Sequence, residues 1–227
     1  MSSTINNFGG NLGVDPSRSA PLVLTVPGLD NSGPGHWQTI WDRERPDCER
    51  VELGMWSRPH RNSWVTALNS AIRQAGRPVV LAAHSLGCLA VAWWAALEAQ
   101  PFGNPVAGAL LVAPPDVDTA GHDMRIAGFG PAPKIILPFP SVVIASSNDP
   151  YIDLARAHSL AKFWGSHFVD IGDAGHVNAE TGLGEWAQGQ EWLDRLLGLA
   201  KGENPGDPLA TAIIRPAISG APLSLDV

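Results

Sequence analysis

The chain has few cysteines, a minority of basic residues and no long apolar run, and each shortage removes a class of protein. Two cysteines, Cys48 and Cys88, among 227 residues do not make a disulfide framework. They read as free thiols in a reducing compartment. Fifteen Lys and Arg against 22 Asp and Glu leave a formal charge of −7. A surface of that sign repels nucleic-acid phosphates and anionic lipid, so neither is an expected partner. No stretch approaches the roughly 18 apolar residues that a membrane span requires. The opening MSSTINNFGGNLGVDPSRSA has neither the basic nor the apolar region of a secretory leader. A soluble, cytoplasmic protein is expected. The phosphate-cradling patterns G-x-x-x-x-G-K-[ST] and G-x-G-x-x-G and the zinc-binding H-E-x-x-H are all missing, so no nucleotide, metal or other cofactor is expected.

What is present is enough apolar material, 44% of residues, for one domain with a large core. Residues 1–19 are rich in Ser, Asn and Gly, and 201–227 are punctuated by Pro and Gly. Both ends read as loosely held arms around a domain at 20–200. Four runs of β-branched and aliphatic residues, each led in by proline, recur at 21–26, 78–84, 105–113 and 140–147. They do not alternate strictly, which predicts strands buried on both faces of a parallel sheet. Weaker strands are expected at 48–53 and 166–171, and helices at 36–45, 62–75, 86–99, 152–164 and 185–199. Strand alternating with helix is the pattern of an α/β fold with right-handed crossovers. This predicts three layers, α/β/α, around a mostly parallel sheet. The segment from Pro114 to Pro138 breaks the rhythm and reads as a loop or small cap, with little or no lid.

The chemistry concentrates in AAHSLG. Here a strand ends and a helix begins within about two residues, a turn that would lift the Ser85 hydroxyl clear of the sheet as a nucleophile. Gly87 supplies the small neighbour such an elbow needs, while Ala83 stands where G-x-S-x-G has its first glycine. The pattern alone leaves Ser85 between that role and a simple helix N-cap. The following LGCLAVAWWAALEA is apolar almost all round and therefore buried, which favours the elbow.

A serine hydroxyl needs a base, and the base needs an acid to fix its tautomer. In this fold class they follow in the order Ser, Asp or Glu, His. Of seven histidines, His176 sits in GDAGHVNAETG, a glycine-bounded loop after the last strand, whereas His158 falls in a helix and His167 at a strand start. His84 adjoins the serine and is expected to point away from it. Asp149, in SNDPY directly after a strand, is the candidate acid, with Asp153 and Asp173 as alternatives and helix capping as its bland role. Both Asp149 and His176 should emerge at the carboxyl edge of the sheet, where α/β sites lie. Oxyanion donors are expected from the Leu86 amide and from the Leu29 amide in VPGLDNSGPGHW. Most of the nine tryptophans read as core, with His36 and Trp37 expected to face the cleft as substrate-binding residues.

With these residues assembled, the chain resembles the α/β-hydrolase superfamily, and within it the small serine hydrolases related to retinoblastoma-binding protein 9 and the YdeN-type proteins. HSLG is shared by many hydrolases; VPGLDNSGPGHWQTIW, WSRPHRNSWVTAL, SSNDPY and GHVNAETGLGEWAQG carry the likeness, over about residues 21–197. The resemblance implies a compact hydrolase with its triad on Ser85, Asp149 and His176. The L-x-C-x-E segment of the retinoblastoma-binding member is absent, so a pocket-protein partner is not implied. The expected substrate is a small acyl compound: an ester, thioester or amide. The alternative is a binding or regulatory module that keeps the fold without turnover.

Overall fold

The computed structural model describes residues 20–98, 105–119, 123–203 and 205–211. Each proline-led run becomes a strand: β1 (Leu22–Val26), β3 (Val79–His84), β4 (Val106–Val112) and β5 (Ser141–Ala145). The weaker pair forms β2 (Cys48–Arg50) and β6 (His167–Asp170). All six lie parallel in the order β2-β1-β3-β4-β5-β6. The connecting helices are α1 (Trp37–Glu44), α2 (Arg61–Gln74), α3 (Leu86–Leu97), α4 (Leu154–Trp164) and α5 (Ala187–Ala200).

The strands bury both faces because successive side chains point to opposite sides of the sheet. Leu22, Leu24, Val26, Leu81, Ala83 and Leu111 pack beneath α2, α3 and α4. Their sequence neighbours Val23, Val80, Ala82, Leu110 and Val112 pack against α1 and α5. The large core expected from composition is thus two layers divided by one sheet, and the fold is the three-layer α/β/α architecture. α3, apolar all round, lies with eight of its 12 residues buried. Cys48 and Cys88 are both free and buried.

The 114–138 segment carries a 3₁₀ helix at Met124–Phe129, tied down where Trp93 Nε1 donates to the Phe129 carbonyl at 2.7 Å. It forms a small cap over one side of the cleft. The tail expected from 201 begins with residues that stay on the body: Leu209, in the short helix α6 (Pro208–Thr211), is 1% exposed, and Asp207 pairs with Arg195 at 2.8 Å. The arm at 1–19 and His122 lie outside the described residues. Among the described residues no helix is long and apolar enough to cross a membrane.

The sheet order places the site. β1 lies between β2 and β3; its chain leaves toward the α1 layer, whereas that of β3 leaves toward the α3 layer. Loops that part in this way open a crevice at the carboxyl ends of the strands. Across it the end of β1 nearly touches the start of α3. A Cβ on Gly87 would stand 2.2 Å from the Val26 carbonyl oxygen and 2.7 Å from that of Pro27. Both are backbone atoms, so relief requires moving a strand or a helix. Gly87→Ala is therefore expected to lower stability by about 1–3 kcal/mol. Gly33→Ala, where a Cβ meets nothing within 4 Å, should leave the urea midpoint unchanged, and equal midpoints for the two variants would refute this account.

Candidate active site

Ser85 joins β3 to α3 with φ 53° and ψ −126°. This is a region that residues other than glycine enter only when their surroundings hold them there. Its amide donates to the Val112 carbonyl at 2.9 Å, fixing the turn to β4. Ser85 occupies the N-cap position of α3, yet its side chain makes no capping hydrogen bond. The hydroxyl instead lies 2.9 Å from His176 Nε2. Nδ1 of the same ring is 2.9 and 3.1 Å from the two carboxylate oxygens of Asp149.

Asp149 follows β5, and its side chain is wholly removed from solvent. One oxygen also accepts from the Tyr151 amide at 2.9 Å. The capping position of α4 belongs to Asp153; Asp153 and Asp173 are both exposed and take no part in the line of three. His158 packs on Phe168 and His167 on Trp192, both outside the cleft.

Two loops carry Asp149 and His176, and polar bonds knit them together. Asn148 Oδ1 accepts from the Gly175 amide at 2.6 Å, Ser146 Oγ from the Ala174 amide at 2.9 Å, and the Gly172 carbonyl from the Ser147 amide at 2.9 Å. Tyr151 stands edge-on to the His176 ring, centroids 4.5 Å apart. Sequence reasoning missed Asn148 and Tyr151, although both lie within SSNDPY. Short polar side chains after a strand were the available signal.

Leu29 and Leu86 flank the serine. Neither amide donates to another group among the described residues. Leu86 begins α3, so its N–H has no carbonyl one turn back within the helix. Gly28 brings the first loop close: a Cβ there would meet Ser85 Cβ at 2.8 Å and the Leu86 nitrogen at 3.1 Å.

The cleft holds a cavity of about 340 Å³. Leu29, Pro115, Ile126 and Tyr151 supply apolar wall, and Ser85 and His176 open into it. Arg125 of the cap reaches Asp30 at 3.1 Å, both at the cavity wall.

His36 lines this cavity, but Trp37 does not. Trp37 is 1% exposed, and its Nε1 donates to the Val177 carbonyl at 3.0 Å. It packs against Trp41 and Trp186 at centroid distances of 4.6 and 5.1 Å. The expectation of a cleft-facing indole is thus corrected. Helix α1 turns Trp37 inward, where it supports the histidine loop from beneath. Trp41 does the same farther along, donating to the Glu185 carbonyl at 2.7 Å. His84 is a second correction: it lines the cavity, with its ring centroid 4.9 Å from that of His176.

Burial pushes the Cys48 and Cys88 thiols well above their ordinary range, and Asp42 adds to the effect at Cys48. Only the thiolate reacts readily. Ellman's reagent at pH 8 is therefore expected to leave both cysteines unmodified in the native protein and to titrate two thiols after denaturation. Rapid native modification would contradict their burial.

The serine hydrolase family model matches residues 23–195. A YdeN-like hydrolase from Pectobacterium atrosepticum is 32% identical, with a TM-score of 0.71 over 81% of this chain and 94% of that one. The ydeN gene product of B. subtilis is 16% identical, with a TM-score of 0.57 over 78% and 99% of the two chains. Est1E of Butyrivibrio proteoclasticus is 14% identical, with a TM-score of 0.57 over 79% and 89%; these last two likenesses concern the fold alone. No curated protein matches the sequence. By the extent of the family match and by its similarity to the Pectobacterium hydrolase, the chain belongs to the serine hydrolase family, small enzymes of the α/β-hydrolase fold.

Proposed function

We propose that the protein hydrolyses a small ester, thioester or amide through an acyl-enzyme on Ser85, with His176 as general base and Asp149 as its orienting acid. One observation carries this reading: the unbroken line from Asp149 through both nitrogens of His176 to Ser85 Oγ, each step close to 3 Å. The Asp149 carboxylate accepts the Nδ1 proton, so the neutral imidazole presents a bare Nε2 to the hydroxyl. As Ser85 Oγ attacks the acyl carbon, its proton passes to Nε2, and the buried carboxylate stabilises the imidazolium. The same proton then goes to the departing alcohol, thiol or amine. Water repeats the sequence on the acyl-serine, releasing the acid and restoring the enzyme.

The tetrahedral oxyanion forms beside the Leu29 and Leu86 amides. Two such donors are each worth about 3 kcal/mol of transition-state stabilisation. A cavity of about 340 Å³ lies at the small end of ligand pockets and suits a compact acyl compound. An inactive binding module would have no need to hold a serine in a strained backbone conformation against a paired histidine.

A fluorophosphonate probe is expected to label the wild-type protein and to leave Ser85→Ala unlabelled. Asp149→Asn should lower kcat on a hydrolysed ester by about 10⁴-fold, because the amide favours the wrong imidazole tautomer. A wild-type chain that resists the probe, or a Ser85→Ala variant that labels equally well, would overturn the proposal.

A further inference from the structure

Beside His176 lie two more imidazoles that the hydrolytic scheme does not use. His36 and His84 are 4% and 5% exposed. Their rings meet edge to face, with His36 Nε2 3.3 Å from His84 Nδ1. The groups at either end of the pair set its hydrogen-bond direction. At one end the Gln38 amide donates to His36 Nδ1 at 3.1 Å, so that nitrogen is an acceptor and the proton of a neutral ring resides on Nε2. At the other, His84 Nε2 is 2.9 Å from the His176 carbonyl oxygen. A carbonyl only accepts, so His84 carries its proton on Nε2 and offers Nδ1 to His36. An amide donor and a carbonyl acceptor thus permit one arrangement, with every proton pointing from α1 toward the histidine loop.

We propose that His36 and His84 form a one-directional chain of neutral imidazoles that positions the main chain of His176, and through it the ring that faces Ser85. The proposal rests on His176 being the general base. The chain occupies both nitrogens of His36, so this residue borders the cavity but has no ring nitrogen left for the substrate-binding role expected of it.

The surroundings keep the pair uncharged. Burial, then the charge of Arg50, lowers His36 to about 4, and burial holds His84 well below the usual histidine range. Arg50, on β2, is the nearby cation; it pairs with Asp42 at 2.7 Å and also reaches Asn31 and the Ser32 carbonyl. Arg50 acts on His36 alone, His176 acts on both rings, and His36 acts on His84. A proton added to either ring would set N–H against N–H, or N–H against the Gln38 amide. Neutrality also spares the imidazolium of His176 a like charge 4.9 Å away, ring centre to ring centre, in the transition state.

Two measurements test the chain. In ¹⁵N-histidine NMR of the wild-type protein, His36 and His84 are expected to show the Nε2–H tautomer and to keep it from about pH 5 to 8, below the range of an unperturbed histidine to well above it. In kinetics, His84→Leu should lower kcat by about 10²-fold with little change in KM, the cost of a displaced base rather than a lost substrate contact. His84→Gln, whose side-chain amide reaches for the same carbonyl, should recover kcat to within about tenfold of wild type, a deficit of about 1.4 kcal/mol. An Nδ1–H tautomer on either ring, titration of either ring in that interval, or equal kcat for the two variants overturns the proposal. A wild-type protein that shows the NMR pattern but hydrolyses nothing refutes the hydrolytic reading and supports the chain.

Discussion

The backbone at Ser85 is the constraint around which the site is organised. Holding a serine at φ 53° costs about 1–3 kcal/mol, which the flanking elements must offset. They do so by enclosing it. β3 is buried along its whole length, α3 is buried on nearly all sides, and the Ser85 amide is bound to β4. Close approach of the β1 end is the other half of the constraint. Gly28 and Gly87 have no side chains, and the space a Cβ would occupy is already filled by Ser85 and by the carbonyls of Val26 and Pro27. That contact brings the loop that carries Leu29 against Ser85 and the Leu86 nitrogen.

The rest of the site is held to this turn by directional bonds as well as by packing. The histidine loop has apolar anchors in Val177 and Trp186, with Ala174 and Leu183 packed beside them. It is fixed by donors from below, Trp37 on Val177 and Trp41 on Glu185, by His84 on His176 itself, and by the Asn148 and Ser146 side chains from the acid loop. Tryptophan suits such a place because its body packs in the core while its one N–H still requires an acceptor. A loop restrained from several directions can keep His176 Nε2 within hydrogen-bond reach of Ser85 before any substrate arrives, and preorganisation of this kind spares reorganisation during the reaction.

Burial acts on the polar groups of the core through the partners it leaves them. It leaves the thiols of Cys48 and Cys88 protonated and chemically quiet, and it keeps His36 and His84 uncharged. Asp149 is buried as deeply, and its oxygens meet the Tyr151 amide and the His176 ring. A buried carboxylate needs donors on its oxygens, and an imidazole already bonded at both nitrogens has no place for another proton.

Proline-led aliphatic runs, the apolar helix after AAHSLG and the order Ser85, Asp149, His176 were all legible along the chain, because strand burial, elbow geometry and triad order are local or sequential properties. Strand limits differed from expectation by a few residues at most, the largest difference falling at β2, expected to reach Leu53 but ending at Arg50. The choice of Asp149 over Asp153 and Asp173 is geometric, since all three follow β5 or β6 in loops and only distance to His176 separates them. Trp37 and His84 were misjudged for a related reason. Sequence alone determined that this is an α/β chain with an elbow serine, and which residue types stand near it. Tertiary structure alone decided which ring faces the cavity, which lies beneath it and in which direction each hydrogen bond runs, because those depend on partners between 48 and 140 positions away that no local pattern encodes.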